Sequence, residues 1–441
     1  MPPPRLLTSV QRSPERAVRT PVATQLEQQS TNLRADLITS DDGLSLAEAI
    51  AIALQRHPLL TAASLEVQAR TDEIRQAGLR PNPEIQTDIE NFSGSGALSG
   101  FNGSETTVSV GQLIELGGKR TRRVNAASLD AQLAAWDLET QRIAVYTETT
   151  KLYVSAVAAD QKAALVEQLN SVAKRLMDAV DARVKAGKVS PIEAQRAAIV
   201  VGRAAAERDA AIAERQASFR NLAASLGASP DEVFVLSGRL DPVTATPARA
   251  MIVDFVEDSP EVARWTAEIE ARQAMLDLER ANRIPDVTIG AGVRQFRDTN
   301  DTAYVAVFSV PLPLFNRNQG AIAAAHSRLA RSRALAESAR INSRIAFDRA
   351  FSELSAAAAR ALALQDSLLP ASKTTYDATE TGYREGKFDL VTLLDAQRTY
   401  FEIETETIGA VAAYYAARAD VEALIGRDLS AISLGGASRA K

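Results

Sequence analysis

The chain has 441 residues, of which 46% are hydrophobic but only 5% aromatic, with a net charge of −5 and a pI near 5.5. That balance leaves no basic footprint for nucleic acid. With no cysteine and only His57 and His326, disulfides, thiolate metal sites, lipid attachment through cysteine and histidine-rich metal centres are excluded.

No run of 18 apolar residues exists, so no transmembrane helix is expected. Residues 1–43 are rich in Pro, Arg, Gln, Ser and Thr and read as a disordered arm. They lack the apolar core of a secretory signal, so an exported chain has its leader upstream of the given start. Ser45-Leu-Ala-Glu48 is a capping box opening a helix to about Gly78, with a kink or break at Pro58.

Two strands follow, Glu84–Phe92 and Glu105–Ile114, joined by a long small-residue loop. Ile85, Thr87 and Ile89 alternate with Gln86, Asp88 and Glu90, and Val108 and Val110 with Thr107 and Ser109. One apolar and one polar face is the pattern of a half-buried or lipid-facing strand. From Lys119 to Ala186 no Gly or Pro occurs. A helix of that length spans roughly 100 Å at about 1.5 Å per residue, so it belongs to a coiled coil or a long tube. Leu165, Leu169, Val172 and Leu176 are spaced as its seam. Ala186-Gly187-Lys188 ends it. Ser190, Pro191 and Glu193 cap a return helix that stops at Gly227.

The same order then repeats. Pro260 lies 202 residues after Pro58, and Pro285 lies 202 after Pro83. Strands are expected at Asp286–Phe296 and Ala303–Leu314, then a helix from about Gly320, interrupted by Pro370, to Arg384. Gly386 and Gly426 each follow their counterparts, Gly187 and Gly227, by 199 residues, and Asp389 caps the second return helix. The division is therefore an arm 1–43, a first repeat 44–227 with hairpin 84–114, a linker 228–249 with one short strand near 233–236, a second repeat 250–427 with hairpin 286–314, and a tail 428–441.

Four strands with an apolar outer face leave two unpaired edges, which lipid does not tolerate. About eight strands are needed even for a barrel filled by side chains, so the chain must oligomerise. A soluble coiled-coil scaffold with decorative hairpins is the alternative.

These residues resemble a family. The twofold order of helix, hairpin, long helix, Gly turn and return helix is similar to the TolC-like outer-membrane factors of tripartite (RND-type) efflux systems, over about residues 44–427. The most specific stretches are LSLAEAIAIALQRHPLL, RVKAGKVSPIEAQRA and YREGKFDLVTLLDAQRTY, while VGQLIELGGKRTRR looks like the CzcC-like heavy-metal branch. The resemblance implies a mixed α and β membrane protein: a long antiparallel α-helical barrel continuous with a β-barrel of twelve strands, four per chain, completed by a homotrimer. It implies a place in the outer membrane, reaching into the periplasm. The implied partners are a periplasmic membrane-fusion adaptor, an inner-membrane RND transporter reached through it, and outer-membrane lipid, with no nucleic acid.

Carried over residue by residue, the adaptor-contact tips fall at Ala186, Gly187, Lys188, Glu385, Gly386 and Lys387. A pair of gate aspartates falls at Thr392 and Asp395, so only the second carboxylate is present. Three copies of Asp395 form an acidic ring favouring cations. Each of these has an ordinary alternative: the glycines as turn formers, Asp395 as a solvated helix residue. Lys119, Arg120, Arg122 and Arg123 are a solvated helix start or an interface anchor, and Phe92, Phe101, Phe296, Tyr304, Phe308 and Phe315 are candidates for an aromatic girdle.

No catalytic set is present, no cofactor or metal site is expected, and no phosphate-binding GxxxxGK[ST] occurs, so the duct is passive and a partner drives export. Divalent cobalt, zinc and cadmium cations are the expected cargo; drugs or other small organic molecules are the alternative.

Overall fold

A computed structural model describes residues 43–229 and 235–429. The expectation of a disordered arm at 1–43 lies almost wholly outside the described residues, as does most of the 428–441 tail. Helix α1 (Leu46–Arg56) begins as its box predicts: Glu48 N–H donates to Ser45 Oγ at 3.3 Å and Ser45 N–H to Glu48 Oε2 at 2.8 Å. Pro58 does not kink this helix but ends it. His57 caps α1 in extended backbone, and α2 (Pro58–Ala77) starts at the proline.

After β1 (Glu84–Glu90) and β2 (Glu105–Ile114) comes α3 (Lys119–Lys185), a single helix of 67 residues, and then α4 (Pro191–Ser225). The Ser190 side chain accepts from Ile192 N–H rather than completing a box with Glu193. The second round is α5 (Pro260–Asn282), β3 (Val287–Phe296), β4 (Thr302–Ser309), α6 (Gln319–Ala363), α7 (Leu369–Arg384) and α8 (Leu390–Ile425). Two strands end earlier than expected. β1 stops at Glu90 because Asn91 turns to φ 56°, and β4 stops at Ser309 because Pro311 and Pro313 offer no N–H to a ladder. The interruption expected at Pro370 lies just before it, as a π-helical stretch, Leu364–Leu368, and Pro370 itself sits in the first turn of α7.

The chain divides into two compact units, each drawing on both halves of the sequence. Residues 61–140 with 260–342 form one. Its sheet runs β1-β2-β3-β4, antiparallel throughout, with Glu105 opposite Phe296 and Ile114 opposite Val287 at the central pair. One face is an apolar ladder open to the surroundings: Ile85 is 76% exposed and pairs with Val110, and Tyr304 is 94% exposed and pairs with Val293. The other face is polar across β1 and the middle of the sheet, while β3 and β4 also place Phe296, Val305 and Val307 on it. Arg294 on β3 donates to Thr107 Oγ1 at 2.9 Å and to Glu105 at 3.0 Å, and pairs with Glu90 at 3.2 Å, tying three strands.

The basic cluster expected either to be solvated or to anchor an interface has a third use. Lys119 is buried and pairs with Asp286 at 2.8 Å. Arg123 pairs with Glu115 at 2.6 Å and donates to Ala77 O at 2.8 Å, closing the C-terminus of α2. Arg122 lies 3.7 Å from Asp277. Leu276, Ala325 and Leu329 form a small buried cluster between α5 and α6.

The described residues of 43–60, 141–259 and 343–429 form the second unit, which is helical apart from an isolated bridge between Leu44 and Leu236. That bridge stands where a short strand was expected; residues 233 and 234 lie outside the described residues. Tyr153 on α3 fastens it, donating to Leu44 O and lying 2.9 Å from Ser237 O. The main core gathers Ile252, Val256, Phe347, Leu354, Leu364, Val421 and Ile425. Leu429 packs onto it: it is buried, and its N–H donates to Glu422 Oε1 at 3.0 Å. The coiled-coil seam of α3 only partly follows the expected residues: Leu165 is buried as expected, and the other three are not. The buried positions are Leu165, Val166, Asn170, Ala173 and Val180, while Leu169, Val172 and Leu176 are half-buried.

Candidate functional site

All eight candidate tip and gate residues lie in the helical unit, on or beside the two turns that reverse the long helices. The first turn closes α3. Gly187 N–H donates to Val184 O at 2.9 Å and Lys188 N–H to Arg183 O at 2.9 Å, with Gly187 at φ 68°. The second closes α7 identically: Gly386 N–H to Tyr383 O at 3.1 Å and Lys387 N–H to Gly382 O at 2.7 Å, with Gly386 at φ 79°. Both are Schellman caps, which need a left-handed residue at this position. No atom lies within 4 Å of where a Cβ on either glycine would stand. The backbone conformation demands glycine there; the space does not.

Ala186, Gly187, Lys188, Glu385, Gly386 and Lys387 are all exposed. Lys387 pairs with Glu385 at 2.6 Å across its own turn, which leaves Lys188 as the cation without an ion-pair partner among the described residues of these two turns. Beneath them the two hairpins share one core: Val180, Ala197, Tyr383, Leu390 and Leu393 are buried together. The Arg183 guanidinium lies 5.1 Å from the centre of the Tyr383 ring. Phe388 covers Gly382, where a Cβ would come within 2.3 Å of the ring. The two turns are thus joined into one end of the helical unit.

Thr392 and Asp395 do different things. Thr392 belongs to the cap of α8, donating its N–H at 2.9 Å and its hydroxyl at 2.6 Å to Asp389 Oδ1. Those bonds hold the Asp389 carboxyl below the usual carboxylate range. Asp395 lies one turn further on, 66% exposed at its side chain, and pairs with Arg398 at 2.7 Å. Sequence reasoning missed Arg398, although its spacing of three from Asp395 was the available signal. The pair turns a bare carboxylate into a dipole, which weakens the attraction of any ring built from it.

Asp395 and Arg398 line a groove of about 770 Å³ whose walls are α3, α4 and α8. Tyr376 and Tyr400 stack nearby at 5.6 Å. The Tyr400 hydroxyl is pushed up to about 12 by burial and by Glu404. Among the described residues no group of three His, Cys, Asp or Glu is placed to hold a metal ion, and no helix is long and apolar enough to cross a membrane. The expected girdle aromatics divide. Tyr304 and Phe308 stand on the apolar strand face, Phe92 and Phe101 stack at 5.9 Å in the β1–β2 loop, and Phe315 follows β4.

Comparison with known proteins bears directly on this arrangement. The model of the Outer membrane efflux protein family matches residues 49–228 and again 251–427. The cobalt-zinc-cadmium resistance protein CzcC of Cupriavidus metallidurans is 31% identical over 388 residues, 87% of this chain and 90% of that protein. The nickel-cobalt-cadmium resistance protein NccC of Alcaligenes xylosoxydans xylosoxydans is 29% identical over 68% of each chain. The pyoverdine export outer membrane protein OpmQ of Pseudomonas putida is 26% identical over 89% of this chain and 83% of its own.

Among solved structures, CusC superposes with a TM-score of 0.71 at 15% identity, covering 89% of this chain and 96% of that one. The outer membrane protein VceC of Vibrio cholerae gives 0.70 at 18% identity, covering 87% and 96%. The fold is therefore that of the TolC-like channels, each chain contributing long helices to an α-helical barrel and four strands to a β-barrel, and the reading as a soluble scaffold is set aside. A twofold chain with an open apolar strand face and two matching helical turns, matched by one family model in both halves, belongs to the outer membrane efflux protein family.

Proposed function

We propose that this chain is the passive outer-membrane exit duct of a tripartite exporter of divalent heavy-metal cations. The observation that carries the cargo is the 31% identity to CzcC over 87% of the chain, joined by the likeness to NccC. In this reading the chain works as a homotrimer, so that the free edges of β1 and β4 pair between copies and twelve strands close a barrel around a lumen. The apolar face then meets lipid, and the face carrying Glu90, Glu105 and Arg294 lines the channel.

The duplicated units are residues 44–227 and 250–427, with 228–249 as the linker. Their two Schellman turns form the periplasmic tip, where a membrane-fusion adaptor docks on residues 186–188 and 385–387 and links the duct to an inner-membrane transporter. Asp395 narrows that tip as a ring of three carboxylates, each tempered by its Arg398; Thr392 supports the ring by capping α8. The chain performs no chemistry on its cargo.

Export of a small organic molecule is the second reading, and the likeness to OpmQ favours it. Deleting the gene and measuring tolerance to zinc, cobalt and cadmium beside tolerance to hydrophobic drugs separates the two. Metal tolerance falls under the proposal; a fall in drug tolerance alone overturns it.

A further inference from the structure

The groove that holds Asp395 has features that a gate does not use. Its volume of about 770 Å³ lies within the range of small-molecule sites, about 300–1,000 Å³. Its floor is apolar, from Leu165, Val166 and Leu169 on α3 and Phe401 on α8. Its charges almost cancel in pairs. Lys162 meets Glu214 at 2.6 Å, Arg203 meets Glu207 at 2.8 Å, Arg398 meets Asp395 at 2.7 Å, and Glu406 is held by Arg360 at 2.8 Å from outside the lining. Glu402 is the lining carboxylate with no salt bridge among the described residues, although its charge also acts on Arg203, which Glu207 holds.

A second observation is independent of charge. Gln397 lines the same groove, is only 3% exposed, and its Nε2 has no hydrogen-bond partner. A buried amide donor is normally satisfied, and leaving one desolvated without a partner is costly. An acceptor seated in the groove relieves that cost.

We propose that this groove is a binding site for a small organic monocation with an apolar body and a hydrogen-bond acceptor. The body lies on the leucine, valine and phenylalanine floor, the positive charge faces Glu402, and the acceptor receives the Gln397 Nε2–H once that side chain turns out of its sealed position into the groove. A hydrated divalent metal ion is a poor occupant: it gains nothing from the apolar floor and finds one unpaired carboxylate where it needs several oxygen ligands. The site is thus distinct in chemistry from the metal cargo and does not depend on a gate role for Asp395.

The test uses the full chain in lipid nanodiscs and rhodamine 6G, an aromatic monocation carrying an ester, followed by fluorescence anisotropy against empty discs. Saturable binding is expected, with no saturable binding of anionic fluorescein. Glu402→Gln weakens rhodamine affinity about fivefold, the upper end for an exposed charge pair. Ala210→Trp, which fills the groove from an exposed position, abolishes binding. Gln397→Leu weakens binding several-fold while its melting temperature stays level or rises, which general damage to the fold does not produce. Metal tolerance of cells carrying Glu402→Gln is unchanged, so failure of this site and failure of the duct role are read separately. No saturable binding above empty discs, or an affinity indifferent to both Ala210→Trp and Glu402→Gln, overturns the proposal. A groove covered by a second copy or by a partner's helix gives the first of those results.

Discussion

Gly386 separates the two roles a tip glycine can have. Its φ of 79° is what the Schellman cap needs, and the space around it is empty. Alanine there costs about 1–2 kcal/mol, the penalty of a left-handed L-residue, whereas asparagine tolerates the conformation better. Gly386→Ala therefore lowers the melting temperature, and Gly386→Asn lowers it less. If the tip also docks an adaptor, Gly386→Asn impairs metal tolerance despite its better stability, because its side chain projects from the docking surface. Full tolerance in that variant leaves the turn role alone.

Glu422 is a second residue-scale test. It is 8% exposed, bonded to Arg418 at 2.8 Å and to Leu429 N–H, with Arg418 also reaching Asp428 at 2.8 Å. Burial raises its carboxyl above the ordinary 4.5, against the lowering by Arg418, and the Tyr146 hydroxyl is pushed up to about 12 by burial and by the same carboxylate. The folded state thus holds this proton more tightly than the unfolded state. Its stabilising contribution is present below the ordinary value and is lost as pH rises through the raised one. In thermal melts wild type should lose stability relative to Glu422→Gln as pH rises through that window, the two lying closest below it; parallel curves contradict the assignment.

At the scale of elements, what was legible in the sequence were features with sharp local chemistry. Ser45, Ser190 and Asp389 as caps, Gly187 and Gly386 as turns, and the alternation of β1 and β2 all stand where the residues put them. Less legible was anything that depends on which way a long helix faces. The buried stripe of α3 includes Asn170, whose amide atoms have no partner, and takes in Leu165 but passes beside Leu169 and Leu176, which also read as the seam. Apolar and small residues occur on every side of such a helix, so spacing alone does not choose the stripe. Gln397 and the joint of Lys119 with Asp286 were missed for the same reason: each depends on a neighbour distant in sequence or on a helix face, whereas Arg398 had a local signal three residues from Asp395.

The sheet offers the corresponding test. Arg294 joins β1, β2 and β3 through Glu90, Glu105 and Thr107 while remaining partly exposed. Arg294→Ala leaves two carboxylates adjacent, Glu90 opposite Glu105, and is expected to cost about 1 kcal/mol after allowance for solvent. Thermal stability in detergent measures this, and raising the salt concentration should narrow the difference from wild type.

For the whole molecule, the free edges of β1 and β4 are the features that require further copies of the chain. Because the sequence contains no cysteine, one cysteine placed on each edge strand reports only the intended contact. Oxidation in membranes should give dimer and trimer bands that stop at three; an unlinked monomer, or a ladder continuing past three, contradicts closure by three chains. The central claim is that this duct carries divalent metal cations out of the cell, and loss of metal from loaded cells measures it most directly. Cells lacking the gene, loaded with zinc, cobalt or cadmium and moved to metal-free medium, should retain metal that cells with the gene restored release, while both release a hydrophobic dye equally. Equal metal release with dye retained only in the deletion would contradict the account.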